Sequence, residues 1–178
     1  MTRSALILLA AVALLAACAR KEQPGTEFLT ASYAAADALI EGAEDSIEPD
    51  SPIVYATFSP VGRLEVPTAL GQMLAEQTAS RLVQRGYPVV EVRLREGIAV
   101  KPGGPFVLSD DAQEVAERVL AEAALVGSYV AATDYVLLNV RLIDVVTGIV
   151  LASHDTTIPV AFSEWPFAGN YWAYWSPQ

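Results

Sequence analysis

Apolar residues recur with helical spacing in three separate segments of the chain. Within each segment the apolar positions lie three or four residues apart and form one stripe, which is typical of a helix that buries one face. Pro67 opens the second segment, where its fixed φ favours a helix start, while Gly42 and Gly86 lie at the ends of the first two. The predicted helices span residues 28–40, 68–85 and 109–124.

Shorter apolar runs between and after these segments predict β-strands. The run 135–143 alternates, with apolar residues at the even positions and Asn139 and Arg141 on the other side, so it should have one buried and one wetter face. A turn from Asp144 to Gly148 then leads into a hairpin partner. The predicted strands are residues 53–58, 87–94, 125–131, 135–143 and 149–154.

The order of these elements predicts the fold class. Helices and strands follow one another as α-β-α-β-α-β-β-β, which indicates an α+β single domain over residues 27–160. We expect a mixed β-sheet of about five strands, ending in a C-terminal hairpin, with the three helices mainly on one face.

The first twenty residues have the three parts of an export signal. Arg3 provides a positive start, Ala5–Ala17 is an unbroken apolar run, and small residues precede Cys18. The run is shorter than the roughly 20 residues that a membrane-spanning helix needs. The ending Leu-Ala-Ala-Cys at residues 15–18 resembles the lipobox of bacterial lipoproteins, which implies cleavage before Cys18 and lipid on its thiol. The alternative is an ordinary signal peptide cut after Ala17, which would leave a free thiol.

We therefore expect residues 1–17 to be a lipoprotein signal peptide and residues 18–26 to be the lipidated cysteine and its tether. Cys18 is the only cysteine, so the domain has no internal disulfide. Anchoring through more than one acyl chain is stable, whereas one chain holds only marginally. Ala19, a residue that is not acidic, follows the sorting rule for outer-membrane lipoproteins, and we expect the domain to face the periplasm.

Charge and residue types narrow the possible functions. Without Arg3 the remaining chain has 11 − 1 = 10 Lys plus Arg against 21 Asp plus Glu, a net charge of 10 − 21 = −11, so nucleic acid is not expected as a partner. His154 is the only histidine, and no ligand cluster with zinc spacing is present. Ser153, His154 and Asp155 are the residue types of a hydrolase triad, but neighbours on a strand point to opposite faces. We predict no cofactor, no metal and no enzymatic activity.

The last three strands carry a motif that resembles a known family. Val126-Gly127-Ser128-Tyr129 and the stretch VRLIDVVTGIVLAS at 140–153 resemble the C-terminal half of the FlgO family of flagellum-associated outer-membrane lipoproteins, and the order of elements is similar over roughly residues 27–160. Related hairpins occur in CsgG-type secretion lipoproteins and in TolB-like N-terminal domains. The FlgO resemblance implies a non-enzymatic structural or assembly factor that contacts envelope or flagellar proteins. The alternatives are a subunit of an oligomeric secretion or envelope complex and, less expected, a periplasmic enzyme.

Residues 161–178 form a tail that differs from the rest of the chain in its aromatic content. All three tryptophans lie there, within a set of seven aromatic residues: Phe162, Trp165, Phe167, Tyr171, Trp172, Tyr174 and Trp175. Such side chains bury a large area and keep a polar group for hydrogen bonding. Trp165, Tyr171, Trp172 and Trp175 are the candidate partner contacts. The tail could instead cover the open face of the sheet, which we favour slightly, or contact the membrane interface.

Overall fold

Two helices and six β-strands are present in the part of the chain that the structure describes. The structure is a computed structural model, and it describes residues 25–63, 67–92 and 116–160. A further helical segment occupies residues 116–119. The elements are α1 (Thr26–Gly42), β1 (Ile53–Tyr55), β2 (Ser59–Pro60), α2 (Ala69–Gln84), β3 (Val89–Glu91), β4 (Ala123–Ala131), β5 (Tyr135–Asp144) and β6 (Val150–Pro159).

The strands form one mixed sheet, which confirms the predicted α+β fold class. Its order is β3-β1-β4-β5-β6, with β2 also paired to β4. Strand β1 runs parallel to both β3 and β4, and β2 is parallel to β4 as well. Strands β4, β5 and β6 are antiparallel to one another and form a meander at one side of the sheet.

The single strand predicted for residues 53–58 is wrong in its second half, because the chain leaves the sheet after Tyr55 and returns at Ser59. Tyr55 pairs with Leu125 and Ser59 with Ser128, so four residue steps on this side oppose three on β4 and the segment bulges. The backbone N–H of Phe58 donates to the carbonyl of Gly71 at the start of α2 (3.2 Å), and its side chain is fully buried.

Side chains and backbone groups at both ends of α2 explain where this helix begins and stops. The Thr68 hydroxyl accepts a hydrogen bond from the Gly71 amide (3.0 Å), so Thr68 is the N-cap and the helix begins at Ala69. Pro67 therefore lies one position before the cap. The predicted cap at Gly86 is confirmed, since this glycine has a φ of 97° that other residues rarely adopt. Its amide donates to the carbonyl of Val83 (3.0 Å).

Other element boundaries differ modestly from those predicted. Strand β3 is shorter than the predicted 87–94, of which residues 93 and 94 lie outside the described residues. Strand β6 continues five residues beyond the predicted end, because its residues pair along the whole length of β5. Among the described residues, no helix is both long and apolar enough to cross a membrane. Of the predicted third helix, residues 109–115 lie outside the described residues, residues 116–119 are helical, and residues 123 and 124 belong to β4 instead. The tail 161–178 also lies outside the described residues.

The sheet has two differently covered faces, which we call the inner and the outer face. Helices α1 and α2 pack on the inner face and enclose the main core. Its larger members are Phe28, Leu39, Phe58, Leu74, Leu82, Leu125, Tyr129, Leu138, Leu142 and Ile158. A smaller cluster lies on the outer face and consists of Val54, Val92, Ala116, Ala121, Ala124, Val126 and Ile143. The helical segment 116–119 therefore lies over the outer face of the sheet, opposite α1 and α2.

Candidate interaction surface

The outer face of β4, β5 and β6 presents side chains in rows that cross the three strands. The strand register sets these rows, because paired residues of neighbouring strands point to the same face. Starting next to the small outer cluster, the rows are Val126–Arg141–Ser153, Ser128–Asn139–Asp155 and Val130–Leu137–Thr157. The surface thus changes from charged to polar to apolar along the strands.

The middle row, Ser128–Asn139–Asp155, is polar, and we call it the polar row. The Asn139 side-chain amide donates to Oδ1 of Asp155 across the β5–β6 pair (2.8 Å). Ser128 is buried beside it on β4, where Ser59 of β2 is its neighbour in the register. The carboxylate of Asp155 can accept further hydrogen bonds, because an ionised carboxylate offers about four lone-pair sites.

Arg141 places a half-buried cation between this polar row and the small outer cluster. It lies opposite Val126 on β4 and Ser153 on β6. Burial lowers the pKa of its guanidinium, while the negative charge of Asp155 acts in the opposite direction. Because an arginine titrates far above neutral pH, the group stays charged and contributes a fixed positive site to this face.

Beyond the polar row the surface becomes apolar, and we call Val61, Val130, Tyr135 and Leu137 the apolar end. Val61, Tyr135 and Leu137 expose 61%, 38% and 44% of their surface. The amide of Val61 donates to the carbonyl of Tyr129 (2.9 Å), which holds this residue beside β4. A shallow groove of about 300 Å³ connects the apolar end with the polar row.

Some of the predicted site residues lie outside the described residues, and others lie on β6. Cys18 and the tail residues Trp165, Tyr171, Trp172 and Trp175 lie outside the described residues, so their roles stay predictions. The Ser153-His154-Asp155 sequence lies on β6, where Ser153 and Asp155 are exposed and His154 is half-buried opposite Val140. As predicted, the strand separates these side chains between its two faces.

The hairpin motif has the structural role that the sequence indicated. Oδ1 of Asp144 accepts hydrogen bonds from the amides of Val146 (3.0 Å) and Thr147 (2.7 Å) and from the Thr147 hydroxyl (2.8 Å). These bonds, that of the Thr147 amide above all, hold the pKa of Asp144 below its usual value. Gly148 follows with a φ of 72°, which completes the turn into β6.

Tyr135, Leu137 and the polar row are not among the site residues predicted from the sequence. A signal was present, because the alternation of residues 135–143 puts Tyr135 and Leu137 on the same side as Asn139. Two large apolar residues next to each other on the wetter face of a strand indicate a contact surface, since large contiguous apolar patches are rare on monomeric proteins.

These features together define a small α+β domain whose outer sheet face combines a polar row with an apolar end. Within the described ranges, no group of three or more His, Cys, Asp or Glu side chains is close enough to hold a metal ion. The polar row offers hydrogen-bonding groups and the apolar end offers surface for burial, which is the combination found in protein interfaces.

A comparison of the sequence with known families identifies which one this domain represents. The sequence model of the FlgO family, described as "FlgO protein", matches residues 33–162, which is most of the chain. The chain belongs to the FlgO family. No curated protein sequence matches the chain significantly.

Several solved structures are similar to this domain at low sequence identity. The C-terminal domain of LpoB from Salmonella enterica is 15% identical, with a TM-score of 0.51 over 71% of this chain and 97% of that domain. The same domain of LpoB from Escherichia coli is 13% identical, with a TM-score of 0.47 over 71% and 97% of the two chains. Lipoprotein GNA1162 from Neisseria meningitidis is 21% identical, with a TM-score of 0.40 over 61% and 80%. At 15% identity, the similarity to the LpoB domain from Salmonella enterica is evidence for the fold alone.

Proposed function

We propose that the protein is a non-enzymatic lipoprotein of the bacterial envelope, anchored in the outer membrane and acting in the assembly or support of the flagellum. The observation that carries the proposal is the match to the FlgO family over nearly the whole described domain. The outer sheet face supports it, because the side chains gathered there are suited to binding a protein surface.

The proposed anchor is lipid on Cys18. If the thiol of Cys18 carries lipid, only the residues up to Thr26, where α1 begins, separate the membrane from the folded domain. Eight residue steps span at most about 28 Å when fully extended, at roughly 3.3–3.6 Å per residue. The domain would therefore work close to the membrane surface, within reach of partners that are themselves membrane-bound.

The proposed partners are envelope or flagellar proteins. Asn139 and Asp155 supply hydrogen-bonding groups, and Arg141 supplies a positive charge on a chain that is otherwise strongly acidic. A tail that stays free of the domain would add apolar area to such an interface through the candidate aromatic contacts, which are Trp165, Tyr171, Trp172 and Trp175.

The test is genetic complementation in a flagellated host. Deletion of the gene should reduce swimming and weaken the flagellar base, and the wild-type gene should restore both. The variant H154A is the control for catalysis, because His154 is the only histidine and its side chain lies on the face opposite Ser153 and Asp155, and it should complement fully. Normal motility after deletion would overturn the flagellar part of the proposal. Loss of a secreted product with normal motility would instead support the alternative prediction, a subunit of a secretion complex like those of the CsgG or TolB relatives.

A further inference from the structure

No described part of the chain covers the apolar end of the outer face. Three of the exposed large hydrophobic residues in the described part of the chain lie there. Val61 follows β2, whereas Tyr135 and Leu137 lie on β5, so residues from two distant parts of the sequence meet at one end of β2, β4 and β5. Scattered exposed apolar residues are ordinary, but a contiguous set beside a groove marks a surface that is normally covered. The question is which segment covers it.

Strand β6 ends beside the apolar end, so the carboxy-terminal tail begins there. Pro159, the last residue of β6, pairs with Tyr135, and the amide of Val160 donates to the carbonyl of Asp134 (2.9 Å). Residue 161 therefore follows directly from the edge of the apolar end. No crossing of the molecule is needed to bring the tail onto this face.

The tail is long enough to cover the whole apolar end. Three strand spacings separate β6 from β2, which is about 14 Å at roughly 4.8 Å per spacing, and an extended chain covers that distance in about five residues. The eighteen residues 161–178 can cross the sheet and return. Glu164 is the only charged residue among them, and seven are aromatic, so the tail itself needs an apolar surface to cover.

We propose that residues 161–178 fold back over the outer face and seat their aromatic side chains on the apolar end. The docking surface is formed by Val61, Val130, Tyr135 and Leu137. The polar row supplies acceptors for the polar groups of the tail, because Asp155 keeps free lone pairs that can accept an indole N–H. The tail thereby completes the outer layer of the sheet that the small outer cluster begins.

Residues 93–115 are less suited to this place than the tail. They begin after Val92 and end before Ala116, and both of these residues belong to the small cluster at the other end of the outer face. This segment also carries several charged residues, including Arg93, Arg95 and Lys101. Because both flanking residues belong to the small outer cluster, we expect this segment on the half of the outer face where that cluster lies.

The tryptophans allow a direct test, because all three lie in the tail, so selectively excited tryptophan fluorescence reports on the tail alone. Residues 18–178 with C18S are measured in buffer free of lipid and detergent. The expected result is a blue-shifted emission that acrylamide quenches slowly and that does not change on dilution. Two substitutions in the docking surface, L137D on β5 and V61D in the turn after β2, should each shift the emission to the red and make quenching severalfold faster.

Matched controls separate loss of docking from loss of folding. L29D replaces a leucine of α1 that is 40% exposed, nearly as much as Leu137 at 44%, and it should leave the emission unchanged. Far-UV circular dichroism checks that every variant keeps its secondary structure. V61D lies outside the strands, so it keeps the test valid if L137D fails to fold.

Three results would overturn the proposal. Emission typical of solvent-exposed tryptophan in the wild-type chain would mean that the tail stays free for a partner or a membrane. A blue-shifted emission that persists in both docking-surface variants would place the tail elsewhere. A blue shift that disappears on dilution would mean that the tail seats on a second copy of the chain.

Discussion

The ring of Phe58 occupies the space that a β-carbon on Gly127 would fill. An ideal β-carbon at Gly127 would stand 2.5 Å from two atoms of the ring, well inside van der Waals contact. A β-carbon at Gly71 would collide with the backbone carbonyl of the same phenylalanine. Phe58 thus holds α2 and β4 at a separation that only glycine permits at both positions.

We predict that G127A lowers the free energy of unfolding by about 1–3 kcal/mol, the usual effect of overpacking a core. The added methyl group has to displace the Phe58 ring, which is fully buried. Urea unfolding of G127A, F58L and the double variant measures the coupling. Since leucine leaves more room, the double variant should be more stable than the sum of the two single effects implies. Additive effects would contradict the close packing of these two residues.

We predict that D144A destabilises the domain by roughly 1 kcal/mol at neutral pH, because this exposed turn loses hydrogen bonds to a charged acceptor. The pKa of Asp144 in the folded state lies below the ordinary value of 3.8. Its contribution is therefore fully present above about pH 4 and is lost as the pH falls through the folded pKa. Urea unfolding between pH 7 and pH 2 should show the difference from wild type shrinking at the acidic end.

D45A is the control for this measurement. Asp45 is exposed in the segment after α1. Its replacement should change stability by less than about 0.5 kcal/mol, as is usual for surface positions. A D144A difference that stays constant down to pH 2 would contradict the assigned role of the carboxylate.

We predict that C18S abolishes lipid attachment and releases the protein from membranes, because the thiol is the proposed attachment point. Metabolic labelling with a fatty acid, followed by membrane fractionation, measures both effects. The same experiment on A19S tests whether the result is specific, and this variant should still be labelled. Label on C18S, or unchanged retention in the membrane fraction, would contradict lipidation at this residue.

We predict that removing residues 162–178 lowers the melting temperature or causes aggregation. Burial of each large aromatic side chain contributes about 1.5–3 kcal/mol, against a typical domain stability of about 5–15 kcal/mol. Thermal unfolding followed by circular dichroism measures the change. A truncated chain with the wild-type melting temperature would show that the tail contributes nothing to the stability of the domain, and would favour its use as a partner contact.

The sequence predicted those parts of the fold whose causes are local. The helix α2 has a cap at each end within a few residues of its apolar stripe. Gly86 has the expected role, whereas Thr68, predicted as the first helical residue, is the N-cap. The alternation of β5 is a property of consecutive residues, and the outward position of Leu137 could be read from it. The turn at Asp144 likewise depends only on its next neighbours.

The break between β1 and β2 could not be predicted in the same way. Residues 53–58 are apolar and partly β-branched, as in a continuous strand. The chain leaves the sheet because Phe58 packs between Gly71 and Gly127, and neither glycine is a sequence neighbour. For the interaction surface, the sequence gives no local sign that Val61 and Leu137 meet, because β2 reaches β4 only through long-range pairing.

The first helix of the domain packs against its last strand, and this arrangement constrains how the protein is made. Phe28 of α1 and Ile158 of β6 share the main core, and a β-carbon on Gly42 would lie 3.2 Å from that of Ala152. Contacts so distant along the chain form late in folding, because the intervening loop must close first. If the chain is exported amino terminus first, as the predicted signal peptide implies, its core cannot be completed until residue 158 has crossed the membrane. The order of the elements would then keep the chain unfolded enough to pass a narrow export channel almost to its end.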